Sequence, residues 1–132
     1  MTLFEECINA LGKNTQILSH QDTEFYLDEL VKKFPVTSWA RIDWDKISKK
    51  KELNDLCEIS EWLKSNNITD TSVILLWNYT DEPAVQTDLK NVLAVIDDVT
   101  AVGSDTFVFC PTSNYVIEFY HEGEVTIGLS NQ

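Results

Sequence analysis

The sequence predicts a single α/β (α+β) domain, residues 1–132, with about four helices packed on a mixed β-sheet that ends in an antiparallel β-meander. Three observations carry this expectation. Segments with apolar residues at helical spacing alternate with short extended runs along most of the chain. Val73-Ile74-Leu75-Leu76-Trp77 is continuously apolar and bounded by polar turns, as a strand buried on both faces would be. The tail then holds three short strand-like runs whose connections are too short for anything but antiparallel neighbours.

Each element has a local reason. Thr2 followed by Glu5 is a capping-box pair, Leu3, Phe4, Cys7, Ile8 and Leu11 recur at helical spacing, and Gly12 suits the stop. Thr15 to Ser19 reads as a short strand. Asp22 is placed to cap a second helix with Leu27, Leu30, Val31 and Phe34 on its buried face, ended by Pro35. Thr37 to Trp44 alternates and reads as extended, with Trp39 and Trp44 on opposite faces. Either both tryptophans lie under helices, the simpler expectation, or one is exposed as an interface anchor. Lys49, Lys50 and Lys51 read as a solvated connection into a third helix carrying Leu53, Leu56, Cys57 and Leu63, with its exit at Asn66 and Asn67. Pro83 is placed to start a fourth helix striped by Val85, Leu89, Val92, Leu93 and Ile96. The tail strands are Asp105 to Cys110, Tyr115 to Tyr120 and Glu124 to Leu129.

Composition sets bounds. Apolar residues make up 43% of the chain, enough for an ordinary globular core. Cys7, Cys57 and Cys110 are odd in number and widely spaced, so they predict free, buried thiols in a reducing cytoplasm and no zinc site. The N-terminus has no basic region of the secretory kind, and the longest apolar runs, five residues each, are far below a membrane span.

Charge is the most informative property. The net charge is −12, and it is not evenly spread. Beyond Lys64 there are ten acids and one base, Lys90, so that half carries −9. Such a field attracts and steers a basic partner and repels nucleic acid. Its plainer consequence is solubility.

Catalytic signatures are missing. The four glycines, at 12, 103, 123 and 128, allow neither a GxGxxG fingerprint nor a P-loop, and no GxSxG elbow or HExxH helix occurs. His121, between Tyr120 and Glu122, could serve a small hydrolase as general base, but a histidine ending a strand is the commoner case. His20 reads as a loop residue. Asp97-Asp98 could approach a divalent cation, but adjacent side chains at a helix end diverge, so no metal or other cofactor is expected.

Three blocks of the second half, WNYTDEPAVQTDL (77–89), IDDVTAVGSDTFVF (96–109) and YVIEFYHEGEVTIG (115–128), resemble the immunity proteins of bacterial contact-dependent growth inhibition systems. The resemblance implies a small, non-enzymatic cytoplasmic protein. It would bind and block the C-terminal toxin domain of its cognate effector, commonly a nuclease acting on transfer RNA or DNA. An acidic inhibitor suits a basic nuclease site, because its carboxylates can stand where phosphates would. An acidic adaptor for some other basic protein is the alternative reading. From charge and placement, the expected partner-binding residues are Asp81, Glu82, Asp97, Asp98, Asp105, Glu122 and Glu124. Asp81/Glu82 and Asp97/Asp98 are expected at opposite ends of one helix, about 20 Å apart.

Overall fold

The computed structural model describes residues 1–131. The capping box forms as read: Glu5 N–H donates to Thr2 Oγ1 at 3.1 Å, and Thr2 N–H donates to Glu5 Oε1 at 3.0 Å. It opens helix α1 (Leu3–Leu11), which buries Phe4, Cys7 and Leu11. A two-residue strand β1 (Gln16–Ile17) follows, then α2 (His20–Lys33). The cap of α2 is Ser19 rather than Asp22, whose own N–H donates to the Ser19 hydroxyl. Leu30 and Phe34 are buried as expected, while Leu27 and Val31 are exposed.

Residues 37–44 are not a strand. They form a tight loop closed by a single bridge between Val36 and Ile42, followed by a 3₁₀ turn at Trp44–Lys46. The lysine cluster is not a simple connection either. Lys50–Leu53 is strand β2, and only Leu53 of it is buried. Exposed lysines make the segment look like a loop, yet its backbone pairs with a neighbour, and charge on such an edge discourages pairing with other chains. Helix α3 (Cys57–Ser65) then starts with Glu58 accepting the backbone N–H groups of Asn54 and Asp55.

Strand β3 (Ser72–Asn78) contains the buried apolar run. Pro83 does not start a helix. Val85–Asp88 is strand β4, hairpinned onto β3, and Asp88 caps helix α4 (Leu89–Ala94) by accepting from Lys90 N–H. Val85 fits a helical stripe with Leu89 as well as a strand period with Thr87, and only the sheet decides between them. Val95 interrupts the helical run, and α5 (Ile96–Thr100) begins after it. The tail folds as the expected meander: β5 (Asp105–Cys110), β6 (Tyr115–Phe119) and β7 (Val125–Leu129).

The strands form one sheet in the order β1-β4-β3-β5-β6-β7-β2. Every pairing is antiparallel, so the α+β class holds while the sheet is not mixed in direction. Helices α1, α3, α4 and α5 pack on one face, over Val73, Leu75, Val108, Tyr115, Ile117 and Ile127. Helix α2 and the 37–47 segment cover the other, over Ile74, Leu76, Phe107, Phe109 and Val116. Five α-helices are present among the described residues, one more than expected.

All three cysteines are free thiols. Cys7 and Cys110 are buried, whereas Cys57, expected on a buried helix face, is exposed in the first turn of α3. Burial, helped by the charge of Asp98, pushes the Cys7 thiol from 9.0 up to about 11. A raised value means the fold favours the neutral thiol. That contribution to stability is full below the unfolded thiol's value and lost as pH rises through about 11. A hydrogen bond to Asp55, with nearby acids, raises Cys57 as well. We therefore expect a thiol-disulfide reagent to label one site, Cys57, in the native protein, with a rate climbing at alkaline pH. Unfolding should release the other two. Rapid labelling of a second thiol under native conditions would contradict this arrangement.

Candidate functional site

The sheet end where β3 and β6 finish and β5 and β7 begin gathers most of the chemistry. Glu118 lies near the end of β6 and is 1% exposed. A carboxylate in the middle of a sheet face is costly unless donors meet it. Three do. Arg41 Nε donates to Oε1 at 3.0 Å, Trp44 Nε1 to the same oxygen at 3.0 Å, and the Ile42 backbone N–H to Oε2 at 2.9 Å. All three come from the 37–44 loop, so one carboxylate fastens that loop to the sheet.

Arg41 is the sole arginine of the chain. Its Nη2 donates to Glu124 Oε2 at 2.6 Å, and its guanidinium lies 3.9 Å from the Tyr120 ring centroid. Burial works against its charge, but the two glutamates outweigh burial and hold it above the ordinary arginine range. Glu124, expected to face a partner, is thus already paired. Asp105 departs from expectation too. It is 2% exposed and spends its oxygens on the His121 backbone N–H at 2.8 Å, His121 Nδ1 at 3.0 Å and Asn78 Nδ2 at 3.3 Å. It is a buried tie between strand and turn, not a surface for direct contact.

The remaining acids are displayed. Asp81 is exposed and Glu82 half-buried, in the connection between β3 and β4 rather than at a helix start. Asp97 and Asp98 are exposed in the first turn of α5 rather than at the end of a longer helix. The single helix expected to separate the two pairs is reduced to α4, with β4 before it and α5 after it. The loop after α5 instead packs on the end of β3, where a Cβ at Gly103 would fall 2.9 Å from the Asn78 carbonyl oxygen. Glu122 is exposed in the β6–β7 turn. Between α5 and that turn runs an open groove of about 560 Å³ with Leu56, Ile96, Phe119 and Val125 among its apolar walls and Asp97, Tyr120 and His121 among its polar ones. The structure therefore brings Asp97 together with the 120–124 turn.

Sequence reading singled out neither Glu118 nor Arg41. The signal was present: an acid inside the apolar run Tyr115-Val116-Ile117-Glu118-Phe119 must find buried donors, and the lone arginine is the natural candidate.

These observations define a helix-backed antiparallel sheet whose one end displays carboxylates above a buried layer of paired acids, Glu118 and Asp105. The chain matches the family model described as CdiI immunity protein EcoliA0-like over residues 1–128, and it belongs to that family. It is a toxin-neutralising immunity protein. It is also 50% identical over 36 residues to the uncharacterized protein YqzI of Bacillus subtilis (strain 168), a stretch covering 27% of this chain and 69% of YqzI. No helix among the described residues is long and apolar enough to cross a membrane.

Glu118→Ala should destabilise the fold by about 3 kcal/mol, because it strands buried donors and half of Arg41's pairing. Denaturant unfolding measures the loss. A change below about 1 kcal/mol would mean that the loop is held by its other contacts.

Proposed function

We propose that the protein acts in the cytoplasm by binding its cognate toxin domain through this sheet end, and that the toxin is a basic nuclease acting on RNA or DNA. The observation that carries the proposal is the set of uncompensated acids. Among the described residues, no cation forms an ion pair with Asp81, Glu82, Asp97, Asp98 or Glu122. By contrast, Glu118 and Glu124 share the single positive charge of Arg41. Asp97 lines the groove and Glu122 is exposed in the turn whose His121 and Gly123 line it, so these are the acids best placed for direct contact. Asp81, Glu82 and Asp98 then act through the long-range field. Oppositely charged partners associate fast, and speed is useful to an inhibitor whose target harms the cell until it is captured.

Binding, not turnover, is the proposed activity. His121 lines the groove, and one carboxylate oxygen of Asp105 takes both its ring Nδ1 and its backbone N–H. That pairing could orient a general base, but it also simply closes the turn. Ser104 lines the same groove, but no hydrogen bond links it to His121 among the described residues.

The test uses the toxin domain encoded beside this protein. Reversing Asp97 and Glu122 to lysine should slow association about tenfold at low salt and flatten its ionic-strength dependence. His121→Ala should retain protection of growth when co-expressed with the toxin. Association indifferent to salt would refute the electrostatic reading. A substrate turned over by the protein and lost in His121→Ala would refute the non-enzymatic one. Cleavage of RNA or DNA by the free toxin, suppressed at one equivalent of this protein, would support the nuclease assignment.

A further inference from the structure

We propose that Trp39 and Tyr79 form a rigid aromatic knob that docks into an apolar cleft of the toxin domain, and that Glu118 is the positioning residue that holds it. This rests on the toxin-binding reading above and adds a second, apolar element to the acidic one.

Trp39 is 79% exposed and Tyr79 69%, the most exposed of the Phe, Trp and Tyr rings among the described residues, ahead of Phe25 on α2 at 56%. They are not loose. Residues 35–43 close into a narrow loop through Asp43 N–H to Pro35 O at 2.7 Å, Thr37 N–H to Arg41 O at 2.6 Å and Ala40 N–H to Thr37 O at 3.0 Å. Trp39 sits at its tip. The end of β3 and the residue after it grip the tip from the side: Tyr79 Oη donates to Trp39 O at 3.1 Å, and Asn78 Nδ2 donates to Ala40 O at 3.1 Å. Both Ala40 and Tyr79 adopt positive φ, +60° and +61°, a conformation that alanine and tyrosine disfavour and that persists only when surrounding contacts impose it.

The base of the loop is where Glu118 acts. Its bonds to Arg41, Ile42 and Trp44 fix the residues just after the tip. An exposed tryptophan and tyrosine on a backbone fixed before the partner arrives leave less freedom to lose on docking and fill a pocket efficiently. The occupant is the toxin domain rather than a second copy of this chain. Two copies, each at −12, repel one another, whereas a basic toxin is drawn to the same sheet end by Asp97 and Glu122. The complementary toxin surface is an apolar cleft rimmed by lysine or arginine.

A double-mutant cycle against the cognate toxin domain tests this. Trp39→Ala should weaken binding at least about tenfold, chiefly through faster dissociation. Glu118→Gln should weaken it about threefold or more when Trp39 is present and have no further effect in the Trp39→Ala background. If Glu118→Gln fails to fold, Trp44→Phe, which removes one of the three donors, takes its place in the cycle. Quenching of tryptophan fluorescence by acrylamide should fall on complex formation in the wild type, and less in Trp39→Ala. Trp39→Ala binding within about twofold of wild type overturns the knob, while the lysine reversals separately report on the acidic face. Equal losses from Glu118→Gln with and without Trp39 overturn the positioning role. A change in oligomeric state of the free protein on Trp39→Ala, with toxin affinity intact, assigns the rings to self-association and also overturns the proposal.

Discussion

A carboxylate buried in a β-sheet is the constraint around which one face of this protein is arranged. Glu118 projects from β6 on the face that also holds Phe107, Phe109 and Val116. An unpartnered charge there would make the face untenable. The chain answers with the loop that follows α2, which supplies a guanidinium, an indole N–H and a backbone N–H to the two oxygens. The consequence reaches past the carboxylate. Trp44, held by its N–H, lies so close to Gly128 of β7 that a Cβ there would be 2.5 Å from its ring. Ile42 and Ile47 are thereby laid into the core beneath the loop. Arg41, drawn in by Glu118, reaches Glu124 and covers Tyr120, tying the β6–β7 turn to the same assembly.

This arrangement also changes the meaning of the net charge. Formal counting treats every acid of the second half as available. In the fold, five are committed: Glu118 and Glu124 to Arg41, Asp105 to the backbone and ring of His121, Asp70 to Thr112 and Ser72, and Asp88 to Thr71 and the Lys90 N–H. Those left outside ion pairs near this sheet end stand on the β3–β4 connection, the start of α5 and the β6–β7 turn, three segments distant in sequence. Paired carboxylates stabilise the platform, and unpaired ones project the field. The separation is spatial as well as chemical, since Glu118 and Asp105 are buried while Asp97 and Glu122 are exposed.

Elements whose causes are local were legible in the sequence. The capping box, the apolar run of β3 and the three tail strands with their short turns all appear within a residue or so of where they were read. Elements decided by distant partners were not. Val85 fits a helical stripe with Leu89 and a strand period with Thr87, and pairing with β3 settles which it joins. Lys50–Leu53 has the composition of a loop, and pairing with β7 makes it a strand. The Arg41–Glu118 contact joins residues 77 apart, beyond any window in which spacing is informative. The candidate acids were legible as charges but not as paired, buried or displayed, because that depends on Arg41 and His121 being folded against them.

The two ends of the sheet differ in how far their polar and strained groups are spent internally. At the end where β3 begins, Asp70 accepts from the Thr112 hydroxyl and from Ser72 N–H. Those bonds hold its carboxyl below the usual range, and Tyr115 Oη donates to the Asp70 carbonyl. The turn there places Asn114 at positive φ, which asparagine tolerates. Asn14 and Asn67 take the same conformation elsewhere in the chain. The residues that adopt it against their preference are Ala40 and Tyr79, and both flank the exposed Trp39 at the opposite end. There the local rules are broken together: two aromatic rings in water, two disfavoured backbone conformations and acids without counter-ions. Nothing in folding alone requires these departures to share one end of the sheet. Toxin binding at this end, as proposed above, does, because anchors, rigidity and attracting charge are useful only on the surface that meets the partner.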